Sequence, residues 1–290
     1  MCSPKVISIV EAETTRRTFL RSMGAAAVGV GAAAARLRAE SQNNGLPRAG
    51  GTVHFEHVVD LTQVLEPNIP NYFGLNMAIT PLLTVEKNGV FVNQLTVPEH
   101  YGTHFDTPAH FFRDGQTGES IQPEQLVGPL VIIDVADRAA QDPNTEVTVA
   151  DLDQWEWRNG RIPSGAFVAM YSNWAERWPT PAYLNENGGT YNFPGFGREA
   201  AEFLIKERDI IGIGCDSHSL DVGPSTSYPA HIAVLGAGKI GVENLAGLRD
   251  VLRRTARRNP AAIDGYPFIF IGGLSTRGGS GSPVRALALV

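Results

Sequence analysis

The stretch GREAAEFLIKERDIIGIGCD (Gly197–Asp216) sets two hydrophobic periods side by side. Ala200, Phe203 and Leu204 recur at the spacing of one helix face, and the DIIGIGCD that follows is a nearly continuous apolar run, as in a strand covered on both faces. A helix leading straight into such a strand is an α-then-β unit, which points to an α/β fold. LVGPLVIIDV (Leu126–Val135) and GAFVAMYS (Gly165–Ser172) repeat the buried-strand pattern, and both end in polar residues. After Val53 the runs HVVDLTQVL, AITPLLTVEKNG and VFVNQLTVP are rich in β-branched residues and closed by Asn, Gly or Pro, so they read as strands of the same mixed sheet. YPFIFIGGL (Tyr266–Leu274) and the chain end supply further strands. The spacing predicts a second helix from Glu243 to Arg257, with Leu245, Leu248, Val251 and Leu252 on one face. Arg253, Arg254, Arg257 and Arg258 lie near its C-terminal end, where cations suit the helix dipole. No internal repeat or interdomain linker interrupts the pattern, and Pro179–Gly197 is long enough to be a loop over a pocket.

Composition narrows the function. The 290 residues carry 24 Lys+Arg against 30 Asp+Glu, a net charge of −6 that argues against nucleic-acid binding. Apolar residues at 43% with 19% charged describe a core-forming chain rather than a disordered one, and the length suits one large domain or two small ones. Cys2 and Cys215 are too few for a disulfide framework or a cysteine-built zinc site, so any metal must be held by His and carboxylate.

The N-terminus reads differently. TTRRTFLR (Thr14–Arg21) followed by the small, weakly apolar run Ser22–Ala35 is a twin-arginine export pattern. That run has 14 residues, short of the roughly 20 that span a bilayer, so no membrane span is expected. Cleavage after Ala35 or after Ala39 fits the small residues there. The domain expectation is an export signal over residues 1–39 and one domain over 40–290, acting in the periplasm or secreted after passage through the twin-arginine machinery. Loss of residues 1–39 leaves 18 basic against 28 acidic residues, a charge of −10, and Cys215 as the lone cysteine.

Seven histidines remain: His54, His57, His100, His104, His110, His218 and His231. Three of them share the window HYGTHFDTPAH (His100–His110) with Asp106, and no hydrophobic period accounts for that density. Imidazole nitrogen and carboxylate oxygen suit Zn²⁺ and are tolerated by Mn²⁺. Gly102 and Pro108 allow the backbone to turn so that these side chains converge. Cys215, ending an apolar strand with no basic neighbour, reads as structural.

HYGTHFDTPAH is similar to the HxGTHxDxPxH signature of the cyclase-like metal-dependent hydrolases, which include bacterial kynurenine formamidases and isatin hydrolases. DLTQVLEPNIPNYFG (Asp60–Gly74), LVGPLVIIDV, CDSHSLDVGPSTSYPAH (Cys215–His231) and GVENL (Gly241–Leu245) resemble further segments of that family, so the likeness covers residues 55–290. It implies a swivelling β/α domain with a mixed sheet flanked by helices, assembled as a homodimer or homotetramer. It also implies His100, His104 and Asp106 as ligands of one Zn²⁺ or Mn²⁺, with Asp106 able to bridge to a second ion held by His231 and Glu243, and His110 as proton donor and acceptor. An acid in the first turn of a helix is the other reading of Glu243. Where the family often has P-x-W-P-G this chain has Asn71-Tyr72-Phe73-Gly74, and where R-T-G-W is common it has Tyr171-Ser172-Asn173-Trp174. Tyr72, Phe73 and Trp174 are candidate pocket aromatics or core residues. Ser217, Ser219 and Asp221 either lie near the metals, with Ser219 on the substrate, or form a polar turn. The activity implied is hydrolysis of an amide, lactam or lactone of a small cyclic or aryl substrate; a lyase or cyclase, an arylformamidase proper and a non-catalytic metal-binding protein are the alternatives.

Overall fold

A computed structural model describes residues 53–72, 74–256 and 265–290. The export-signal reading, Phe73, Arg257 and Arg258 lie outside the described residues. In chain order the strands are β1 (Val58–Asp60), β2 (Ala78–Leu83), β3 (Val92–Thr96), β4 (His104–Asp106), β5 (Val127–Asp134), β6 (Glu146–Val147), β7 (Phe167–Tyr171), β8 (Gly195–Phe196), β9 (Gly212–Cys215), β10 (Ile240–Glu243), β11 (Phe268–Gly273) and β12 (Gly281–Leu289). The helices are α1 (Val85–Asn88), α2 (Ala136–Gln141), α3 (Val149–Asn159), α4 (Arg198–Arg208), α5 (Pro229–Gly236) and α6 (Leu248–Thr255).

The main sheet runs β1-β12-β11-β5-β7-β9-β10-β4. Its centre, β5 to β10, is parallel, and its flanks are antiparallel. β12 is long enough to do two things: Val284–Leu289 pairs with β11, and Gly281–Pro283 pairs with β4, which closes the sheet into a ring. Every residue of β7, β9 and β10 is buried, as the uninterrupted apolar runs require. Successive side chains alternate between two apolar layers. Leu130, Ile132, Phe167, Ala169 and Val242 join a cluster drawn from strands all round the ring, and Val131, Ile133, Val168 and Met170 join one shared with α3, α4 and α5.

The α-then-β unit is present as α4 followed by β9. Three expectations need correction. β2 and β3 are not in the main sheet; they pair only with each other, and Ile79, Leu82, Phe91 and Leu95 are exposed on this hairpin. The second helix begins at Leu248 rather than Glu243, because Glu243 ends β10 and Leu245 is bridged to Thr62. Glu243 is therefore not a first-turn helix acid. Four of the described helices were not anticipated, α1, α2, α3 and α5; α3 is opened by Thr148 Oγ1 accepting from Asp151 N while the Asp151 carboxylate accepts from Thr148 N.

Candidate metal centre

β4 is three residues long and lies between β10 and β12, so both of its edges are paired. His104 and Asp106 are two apart and share a face, opposite to Phe105. Across the β4–β10 ladder Glu243 stands directly opposite His104, and Gly241 opposite Asp106. The absent side chain at Gly241 leaves room beside the Asp106 carboxylate: a Cβ there would lie 3.6 Å from Asp106 Oδ2 and collide with Leu220. Gly102 (φ +67°) turns the chain into β4, and its carbonyl accepts from both His104 Nδ1 (2.9 Å) and Asn244 Nδ2 (2.8 Å). His231 arrives from the first turn of α5, whose opening backbone amides, Ala230 N and His231 N, donate to the Asp221 carboxylate.

The imidazole protons can be placed from these partners. His104 Nδ1 faces a carbonyl and His231 Nδ1 lies 2.6 Å from Asp221 Oδ2, so each ring carries a hydrogen on Nδ1 and turns Nε2 inward. His104 Nε2 lies 3.4 Å from Asp106 Oδ1 and 3.3 Å from Glu243 Oε2. His231 Nε2 lies 3.3 Å from Asp106 Oδ2 and 3.0 Å from Glu243 Oε1. His100 places Nδ1 2.7 Å from Asp106 Oδ1 and turns Nε2 to Ser280 Oγ, whose own hydrogen goes to Glu99. His110 stacks on His100 with ring centroids 3.9 Å apart. The donor atoms of His104, Asp106 and Glu243 form one close trio, and those of His100, Asp106 and His110 form another.

The electrostatics of this cluster favour added positive charge. Burial lowers the His104 ring, but Asp106 and Glu243 outweigh it and bring it up to about 9; His231 is raised in the same way. Burial pushes Asp106 and Glu243 up, and the facing imidazoles more than reverse it, so both carboxylates stay ionised. Asp106 Oδ2 is buried and accepts no hydrogen bond. Two buried ionised carboxylates ringed by imidazole nitrogens are a donor set that fits a divalent cation, which would take the place of the inward ring protons.

A cavity of about 200 Å³ opens onto this cluster, bounded by Asn71, Tyr72, Phe111, His218, Ser219 and Tyr228 together with His100, His104, His110, His231 and Glu243. Of the anticipated pocket residues, Tyr72 and Ser219 line it. Trp174 does not: it is buried, its Nε1 donates to Tyr183 O, and it packs with Tyr183 and Phe193 in the layer behind Tyr72. The Pro179–Gly197 loop supports the cavity from behind, through Tyr191 and Phe193 against the Tyr72 ring. Ser217 Oγ donates to Pro194 O and so ties down the turn. Cys215 is free and buried, its thiol pushed up by burial. His54 and His57 are exposed near the start of the described chain. Asn71, Phe111, His218 and Tyr228 were not assigned to the pocket from the sequence.

The Cyclase family model matches residues 59–222. The chain belongs to the Cyclase family. Among curated relatives, an isatin hydrolase of Roseibium aggregatum is 30% identical over 256 residues, covering 80% of this chain and 91% of that protein. A kynurenine formamidase of Erythrobacter litoralis is 26% identical over 181 residues, 61% of this chain and 73% of that one. Among solved structures, isatin hydrolase A from Ralstonia solanacearum superposes with a TM-score of 0.72 at 35% identity, covering 81% of this chain and 92% of that chain. Within the Cyclase family match lie β4 and Asp221, while His231 and Glu243 fall beyond its end.

Proposed function

We propose that this Cyclase-family chain is a metal-dependent hydrolase that opens an amide or lactam bond, or the corresponding lactone, of a small cyclic or aryl substrate. The observation that carries the reading is Asp106: a buried, ionised carboxylate faced at 3.4 and 3.3 Å by Nε2 of His104 and His231, each ring anchored at Nδ1 on its far side. His100, His104, Asp106, His231 and Glu243 would hold one or two Zn²⁺ or Mn²⁺ ions, Asp106 being common to both close trios of donors. A divalent cation held there supplies Lewis acidity for a carbonyl and lowers the pKa of water from about 15.7 toward about 7.

This chain's own residues supply the rest. His110 is half-buried at the cavity edge, and burial, with His100 and His231 nearby, lowers its pKa although Asp106 and Glu243 pull the other way, so at neutral pH its ring is neutral and able to take a proton. We assign it the transfer of a proton from the attacking water to the departing nitrogen or oxygen. Tyr72, Phe111 and Tyr228 bound the cavity with aromatic surface suited to a flat ring, and Phe111 is itself held by stacking on His231 (centroids 5.1 Å apart).

Two further proposals accompany this one. We infer from the twin-arginine pattern that the enzyme acts in the periplasm or outside the cell, which fractionation of a strain expressing the full chain checks. The β2–β3 hairpin, exposed on both faces, would gain cover from a second copy in a homodimer or homotetramer, which light scattering checks. The reading of the activity is tested by assaying chelated and metal-restored protein on isatin, other lactams, formanilides and lactones. Turnover that depends on Zn²⁺ or Mn²⁺, with ¹⁸O from water in the new acid, is expected; unchanged turnover after chelation, or no label, contradicts it.

A further inference from the structure

His218 is the buried histidine that the cation-holding cluster does not use. Its Nδ1 lies 3.2 Å from Asn244 Oδ1. Asn244 cannot be turned the other way, because its Nδ2 donates to Gly102 O (2.8 Å), an obligate acceptor. Oδ1 therefore only accepts, and the His218 proton must sit on Nδ1. Burial pushes the ring down to about 4, so it carries that one proton at neutral pH. Nε2 is left as a bare acceptor on a ring that lines the cavity, and the ring is fixed edge-on to Tyr72 with centroids 4.3 Å apart.

Asn71 also borders the cavity and carries a buried acceptor. Its Nδ2 donates to Ile69 O and Leu75 O, both obligate acceptors, so the orientation is fixed and Oδ1 is buried without a partner. A wall that presents the bare His218 Nε2 is matched by a ligand that brings an N–H donor and is penalised by one that does not.

We propose that His218 makes this site specific for substrates with hydrogen on the scissile nitrogen, secondary amides and unsubstituted lactams, by accepting that N–H at Nε2. The proposal rests on the hydrolase reading above and narrows its substrate class: N-alkylated amides and lactones lack the donor and leave that acceptor buried and unpaired.

The test compares matched pairs, isatin with N-methylisatin and a formanilide with its N-methyl counterpart, on the metal-loaded full chain and on His218→Phe. The wild type is expected to favour the N–H member by roughly 10- to 100-fold in kcat/KM. His218→Phe should lower kcat/KM for the N–H member by a similar factor and bring the ratio near one, with metal content unchanged. Equal wild-type rates on both members of each pair overturn this proposal and leave the hydrolase reading standing; that comparison needs no folded variant. A variant that loses both members alike also overturns it, since it marks a structural role. No turnover of any compound by metal-loaded wild type ends the hydrolase reading, and this one with it.

Discussion

The two sides of the cavity hold histidines of similar burial and opposite character. His104 and His231, at 3% and 4% exposure, are surrounded by Asp106, Glu243 and Asp221, and their pKa values rise. His218, at 7%, meets only an amide and aromatic rings, and its pKa falls to about 4. Burial lowers all three, and only where carboxylates lie directly against the ring, at His104 and His231, is the sign reversed. One side is thus built to attract a cation, and the other to stay neutral against an organic substrate.

The comparison breaks most completely at Asp106, the carboxylate common to both trios. Asp106→Asn removes the charge while keeping the volume; we expect loss of metal binding and of measurable turnover with the fold retained, read by elemental analysis, assay and circular dichroism. His110→Ala should lower kcat by about 10²- to 10⁴-fold at unchanged metal content. Loss of an ion in that variant would instead make His110 a ligand of the trio with His100 and Asp106.

The pH profile sharpens the same point. His110 acts as a base only when neutral, and its pKa lies below 6.5, so the acid limb of kcat should fall below pH 6.5 and flatten in His110→Ala. Asp221→Asn weakens the grip on His231 Nδ1 and should reduce metal affinity by about 10- to 100-fold, measured by competition with a chelator. The smallest effect lies away from both sides. Thr148→Ala removes the cap of α3 and should cost about 1 kcal/mol in chemical denaturation with turnover unchanged.

What the sequence reveals of the site follows from chain distance. His100, His104, Asp106 and His110 are local, set by one turn and one three-residue strand, so their clustering is visible in eleven residues. His231 and Glu243 converge only through the β4–β10 ladder and α5, and the family likeness brings them in, with the twelve-residue spacing between them favouring Glu243 as a ligand. His218 depends on how Asn244 is oriented by Gly102, 142 residues away, which no local pattern carries. In the fold, the buried strands β5, β7 and β9 were legible as apolar runs. Ring closure through β12 and β4 is a long-range pairing with no local signature. The hairpin misled because β2 and β3 have β-branched sequences like core strands while remaining exposed. The α3 start did have a signal, Thr148 with Asp151 three residues later.

The central claim is that the Asp106 cluster holds a divalent cation the reaction needs. Chelator-stripped full-length protein titrated with Mn²⁺ or Zn²⁺, with calorimetric uptake and lactam hydrolysis followed on the same samples, tests it directly. Hydrolysis that returns in step with uptake and saturates at one or two ions per chain is the predicted result. Full hydrolysis by the stripped protein, or no uptake at all, contradicts the account.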